Sequence, residues 1–282
     1  ETRWASSEIG NEYVIAVGGQ VGQIRGYRSA GRYEVSDFKG YNEKTGLWEL
    51  KEGVADATAV VGTLRPGSMK IQDMPGEDGT TNGTIGDEDK CIIGNVNPDF
   101  TGGFSINARA YGFDLSANFN FSVGNDIYNA NKIEGTMTGK YQYRNMLDIM
   151  GDGKRWTNLN EDGTLCNDPV KLEAMNKNTT LWSPYTKQMI LTDWAIEDAS
   201  FLRLNTLSLG YTLPKNIVKK LGVNSLRFYC TMYNVFTITG YKGFDPESDC
   251  IKKSGQESLT PGCDYSGSPR SRQYVFGLNL NF

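Results

Sequence analysis

Histidine is missing from all 282 residues, which excludes His-based catalytic triads and the His-containing zinc sites. The five cysteines, at 91, 166, 230, 250 and 263, show no CxxC spacing. Cys250 and Cys263 share one turn-rich segment and could bridge in an oxidising compartment. No stretch approaches the roughly 20 uninterrupted apolar residues of a membrane helix. That absence is silent about barrel strands, whose lipid-facing and lumen-facing side chains alternate and average to a polar score. Lys and Arg (29) nearly balance Asp and Glu (33), which argues against a nucleic-acid partner. The chain opens on Glu1-Thr2-Arg3-Trp4, with neither Met nor leader, so a removed leader or an interior fragment is expected.

What is present is glycine, tyrosine and phenylalanine, in a pattern of strands. From Phe113 to Val123 every odd position is apolar and every even one polar. Strict alternation over about 11 residues is the length of a tilted membrane strand. Phe104, Ile106, Ala108 and Ala110 alternate in the same way, and the Tyr111-Gly112 step between the two runs predicts a hairpin. Leu207, Leu209, Tyr211 and Leu213 form a third run. Upstream of it, Phe201 to Thr206 slips by one residue, which a bulge or a strand entry explains. Residues 214–222 read as a connection with a short helical turn. Leu226, Phe228, Cys230 and Met232 form the fourth run, and Tyr274, Phe276, Leu278, Leu280 and Phe282 the last. Gln20 to Tyr33 is a sixth strand candidate interrupted by Gly22, Gly26 and Gly31.

These runs predict an all-β fold of five or six antiparallel strands. The connections alternate in length, and barrels have short turns on the periplasmic side and long loops outside. With Phe282 at the periplasmic rim, residues 34–100, 124–198 and 239–270 are expected outside, and the 111–112 and 214–224 turns inside. A soluble β-sandwich shares the alternation. The Ser/Asn/Thr-rich polar faces and the one-ended distribution of long loops favour a barrel. Five or six strands cannot close one, so further strands are required elsewhere.

Two loop features carry candidate chemistry. Asp78 to Asp89 fits a twelve-residue calcium loop at positions 1, 3, 5, 6, 8 and 12, with Asp78, Thr80, Asn82, the Thr84 carbonyl and Asp89 as ligands. Gly83 permits the sharp turn and Ile85 packs inward. A metal-free acidic turn accounts for the same residues. Trp156, Trp182, Tyr185 and Trp194 lie in the 124–198 segment, where exposed rings could stack on sugars, anchor a partner, or simply pack the loop. Tyr111, Tyr211, Tyr274 and Phe282 fall near strand ends, where interfacial aromatic girdles belong. Carboxylate pairs such as Asp148 and Asp152 lack a supporting catalytic frame, so no enzyme is expected.

Asn97-Pro98-Asp99-Phe100-Thr101-Gly102-Gly103-Phe104, Gly112-Phe113-Asp114-Leu115-Ser116 and Gly124-Asn125-Asp126-Ile127-Tyr128-Asn129 together resemble the SusC/RagA family of TonB-dependent transporters. So do Ala199-Ser200-Phe201-Leu202-Arg203-Leu204, Leu207 to Pro214, Tyr233-Asn234-Val235-Phe236-Thr237, Gly243-Phe244-Asp245-Pro246-Glu247 and Arg272 to Phe282. The resemblance implies the C-terminal segment of a transmembrane β-barrel of about 22 strands with long extracellular loops. It implies import of oligosaccharide or peptide across the bacterial outer membrane with a SusD-like lipoprotein, energised by TonB-ExbB-ExbD. The plug and TonB box of that family lie N-terminal to the barrel and have no counterpart in this chain. Tyr274, Phe276, Leu278, Leu280 and Phe282 then resemble the signal read by the barrel-assembly machinery. The competing reading is a surface β-protein that binds glycans through Ca2+ without transport.

Overall fold

The computed structural model describes residues 1–4, 12–137, 143, 145–184, 189–250 and 259–282. The chain forms two compact units, one of residues 1–95, 128–196 and 249–266, the other of residues 96–127, 197–248 and 267–282.

The second unit is a five-stranded antiparallel sheet. Its strands are β1 (Phe100–Ala110), β2 (Phe113–Val123), β3 (Phe201–Thr212), β4 (Ser225–Thr239) and β5 (Gln273–Asn281), in the spatial order β5-β4-β3-β2-β1. Sequential strands are therefore neighbours throughout, the up-and-down order of a barrel wall. Tyr111 and Gly112 both take positive φ, 52° and 88°, the turn geometry that joins two twisted strands through two residues. Pro214 ends the run after β3, and the predicted helical turn forms at Lys215–Val218 before Gly222, at φ 69°, redirects the chain into β4.

The one-residue slip in the sequence is a bulge. Asn118 and Phe119 are consecutive on β2, but their partners on β3 are Thr206 and Leu204, so Asn205 is the extra residue. Across β4, Leu204 faces Phe236 and Thr206 faces Tyr233, and Asn234 takes φ 52° in the compensating step. Without these steps every side chain beyond Thr206 would change faces. With them, Leu202, Leu204, Leu207, Leu209 and Tyr211 share one face of β3.

The first unit corrects the reading of residues 20–33 as a single strand. Gln23–Gly26 pairs with Tyr13–Ile15 and Cys91–Asn95, whereas Ser29–Arg32 pairs with Met69–Ile71 in a separate sheet. The expected loop 34–100 is likewise folded. It holds the hairpin Phe38–Asn42 with Leu47–Leu50 and a core to which Tyr33, Phe38, Val61, Met69 and Ile71 contribute buried side chains. Cys250 and Cys263 are not bridged. The Cys250 N–H donates to the Cys263 carbonyl at 2.7 Å, but the residue paired with Cys250 is Asp264. Successive side chains of a strand point to opposite faces, so Cys263 is turned away from Cys250. Among the described residues no helix is long and apolar enough to cross a membrane.

Candidate functional site

The sheet of the second unit has one oily face and one polar face, and registration across all five strands makes each continuous. Phe113 faces Ala110 and Tyr211, Tyr211 faces Phe228, and Phe228 faces Leu278. One row nearer the middle, Leu115, Leu209, Cys230 and Phe276 align, and next to them Ala117, Leu207, Met232 and Tyr274. Many of these side chains stand open: Phe276 is 77% exposed, Phe113 51% and Leu209 50%. A water-soluble sandwich would bury this face under a second sheet, whereas a wall bathed in hydrocarbon leaves it open. Tyr274, Leu278, Leu280 and Phe282 of the expected assembly signal are exposed as well.

The opposite face carries Ser, Asn and Thr linked across strands. Ser105 Oγ donates to Asn118 Oδ1 at 2.6 Å, and the Ser208 and Thr231 hydroxyls meet at 2.9 Å. Near the short-turn end, Arg227 of β4 reaches across β3 to Asp114 of β2 in a bidentate pair, with Nε–Oδ1 2.9 Å and Nη2–Oδ2 2.6 Å. Gly210 lies beneath it. A Cβ there would stand 2.4 Å from Arg227 Nη2 and 2.6 Å from Asp114 Oδ1, so only glycine lets the pair bridge two strand widths. Tyr229 covers Gly277 in the same manner.

The opposite end of this face carries a second and more buried charge group. Arg203 Nη2 donates to Asp245 Oδ1 at 2.6 Å, and its Nη1 lies 2.9 Å from Glu247 Oε2. Arg270 Nε closes the group on Asp245 Oδ2 at 2.6 Å. Arg203 and Asp245 are 2% and 5% exposed. Arg203, Asp245 and Glu247 all fall within the family-like motifs, but sequence alone gave them no role. The signal was present: one arginine on a β3 face otherwise made of Thr206, Ser208, Gly210 and Thr212.

In the first unit, the structure places the calcium-loop residues differently from the twelve-residue reading. Asp78 is exposed, and its two oxygens accept the Thr80 N–H and hydroxyl, which hold the carboxyl below its ordinary range. Asn82 Oδ1 accepts the Thr84 N–H at 2.7 Å. Asp89 is buried, its oxygens taking the Met74 and Gly86 N–H groups at 2.8 and 2.7 Å. The carboxylate that approaches Gly83 is Asp73, whose Oδ2 accepts the Gly83 N–H at 2.8 Å. Asp73 Oδ1 is buried with no hydrogen-bond donor. A buried carboxylate oxygen without a partner is costly, and a hard cation would relieve it. The residues fit such an ion only with Asp73 in the role expected of Asp78. Ile85 is buried, as expected. Among the described residues no three acidic, Cys or His side chains converge, so amide, hydroxyl and carbonyl oxygens from Asn82 and Thr84 would complete the set.

The tryptophans are packed instead of displayed. Trp156 and Trp182 are 2% and 3% exposed, which rules out either as an open stacking platform in this arrangement. Trp156 fills the core formed with Val35, Cys166 and Leu172, beneath the Arg32 guanidinium at 4.6 Å. Gly67 makes room for it, since a Cβ there would be 2.1 Å from the indole. Trp194, half-buried, meets Trp182 edge-on at 4.7 Å. Tyr185 lies outside the described residues.

No family model matches the sequence. The chain is 30% identical over 270 residues, 95% of its length, to TonB-dependent receptor P3 of Formosa agariphila, of which it covers 23%. It is 26% identical over 206 residues, 71% of its length, to the TonB-dependent receptor SusC of Bacteroides thetaiotaomicron, of which it covers 17%. Its fold superposes on a chain of the RagAB peptide transporter with a TM-score of 0.59 and 25% identity, over 97% of this chain and 25% of that one. The chain belongs to the SusC/RagA-type TonB-dependent receptors. It spans about a quarter of the length of the curated relatives first matched, P3 and P39 of F. agariphila. That share accounts for the open sheet, because a TonB-dependent receptor barrel closes only when its other strands pair with the two free edges, β1 and β5. TonB-dependent receptors are outer-membrane proteins, and the two-faced sheet is the wall such a protein needs.

Proposed function

We propose that this chain forms part of the wall of an outer-membrane importer. Its oily face meets lipid and its Ser/Asn/Thr face lines the lumen through which a nutrient passes. The observation that carries this reading is the open apolar face, continuous over five strands and kept in phase by the Asn205 bulge. A secreted glycan-binding protein would have no use for such a face. Likeness to SusC and to a RagAB chain supports assembly with a SusD-like lipoprotein, energy from TonB-ExbB-ExbD, and an oligosaccharide or peptide cargo. The long segments 34–100, 124–198 and 239–270 belong on the extracellular side in this reading. The test is fractionation of cells expressing the parent protein: it should sediment with outer membrane and resist both high salt and alkaline carbonate. Release by salt alone would refute the reading.

We propose further that residues 73–89 hold a structural Ca2+, which would tie an extracellular segment without joining any reaction. Asp73 and Asp89 would supply the charge, Asn82 and the Thr84 carbonyl neutral oxygens. Calcium titration by calorimetry should show one site that Asp73→Asn abolishes and Asp78→Asn leaves intact. The reverse order would restore the twelve-residue reading, and no heat in the parent protein would remove the metal altogether.

A further inference from the structure

Arg203 is buried in a low-dielectric setting, yet its guanidinium is incompletely used. Nη2 is bonded to Asp245, whereas Nε and Nη1 have no aligned acceptor, Nη1 standing 2.9 Å from Glu247 Oε2 but out of hydrogen-bond geometry. Buried guanidinium N–H groups are normally saturated, because each unmet donor forfeits its hydration. Beside them opens a cavity of about 240 Å3, lined among others by Arg203, Asn234, Thr237, Arg270 and Arg272. That volume holds a small polar group with room for water, not a whole oligomer.

Three arginines face two carboxylates here, Arg203, Arg270 and Arg272 against Asp245 and Glu247, so the group carries one net positive charge. Arg270 and Arg272 are both exposed, but Arg272 makes no ion pair with Asp245 or Glu247. Thr237 sits beside Arg203 in register and adds a hydroxyl. A surplus exposed arginine, a buried guanidinium behind it and flanking hydroxyl and amide groups form a recognition set for a planar monoanion. A phosphate monoester is matched less well, since its second negative charge would face Asp245 and Glu247 with nothing to offset it.

We propose that this pocket is a carboxylate subsite on the lumen face, where a solute bearing a free carboxylate pauses on Arg272, with the buried Arg203 behind it contributing charge and not contact. The site rests on the reading of the polar face as the solute path, and it narrows the cargo to acidic solutes. Two sources share that chemistry: a peptide with its C-terminal carboxylate, and a sugar acid.

The experiment uses the full-length receptor in detergent, treated with phenylglyoxal, with modification at each arginine read by mass spectrometry. Protection is compared for a tripeptide against its C-terminal amide, and for glucuronate against glucose. Carboxylate forms should protect Arg272 at concentrations at least about tenfold below their neutral counterparts, the minimum expected for one charge-assisted hydrogen bond. Protection by the peptide alone or by glucuronate alone identifies the source. Arg272→Gln should abolish the carboxylate-dependent slowing of solute uptake by the tripeptide or glucuronate, and Arg272→Lys should keep part of it. Equal protection by charged and neutral forms, or slowing unchanged in Arg272→Gln, overturns the subsite. Neither result bears on membrane insertion, so failure here is distinguishable from failure of the importer reading, which fractionation decides.

Discussion

An arginine placed at Leu207 should strip most of the protein from the outer membrane, while an arginine one residue later, at Ser208, should leave it there. Leu207 faces Ala117 and Met232 near the middle of the strands, and Ser208 faces Ser116 and Thr231 on the other side of the same sheet. A charge at mid-depth on the lipid face of a barrel costs about 2 to 4 kcal/mol, whereas on the lumen face it meets water. About 3 kcal/mol is more than a hundredfold in the folded fraction, enough to decide assembly in competition with proteolysis. The pair is sharper than either variant alone, because adjacent residues share backbone and strand propensity and differ only in which face they occupy. A second pair across the bulge checks the phase. Leu204→Arg should behave like Leu207→Arg although they are three positions apart, an odd spacing that would put them on opposite faces of a regular strand. Heat-modifiable migration of outer-membrane protein on gels reads all of these. Equal loss at Leu207 and Ser208 would show that both faces are packed and that the wall reading is wrong.

The elements that could be read from sequence were those in which a local period decides the structure. Phe113 to Val123 alternates without a fault, so its strand and both its faces were legible, and the Asn205 bulge was visible as a broken phase before any pairing was known. The helical turn after Pro214 was legible for the same reason, since proline and glycine punctuate locally. Gln20 to Tyr33 was not, because a strand of four residues has too few repeats to show that it changes sheets. Burial of Trp156 depends on Gly67 and Leu172, far from it in sequence, and no count of aromatics in a loop reveals that. The hydrogen bonding of the candidate metal loop was not legible either. Asp78 holds the right number in the motif, but the residues between Asp73 and Gly83 fold back, and it is Asp73 that reaches the glycine. The Arg203 to Asp245 pair, 42 residues apart, was out of reach for any pattern of local spacing.

Replacing Arg203 by Met should destabilise the sheet more than any other single polar change on the lumen face, by roughly 3 kcal/mol or more. The argument is one of burial. Asp245 lies 5% exposed, and without Arg203 its remaining cation among the described residues is Arg270, which is itself nearly half exposed. Desolvating a carboxylate costs several kcal/mol, and a screened surface arginine returns about 1 kcal/mol or less. Arg227→Gln, at the other end of the same face, supplies the control. Its pair with Asp114 is better aligned but about a quarter exposed on both sides, so water replaces the lost partner and a loss of about 1 kcal/mol is expected. If alignment governed stability, Arg227 would be the costlier loss; if burial governs it, Arg203 will be. The double variant Arg203→Met with Asp245→Asn separates a lost attraction from a stranded charge. The amide that Asp245→Asn introduces keeps an oxygen for the Glu247 N–H, which Asp245 Oδ1 now accepts at 2.9 Å, and carries no charge that needs Arg203. Most of the stability should therefore return in the double variant, measured as the urea midpoint of the refolded full-length barrel. A double variant no more stable than Arg203→Met would mean that the guanidinium holds the strand end by packing against Phe201, its neighbour at 5.3 Å, and not by neutralising Asp245.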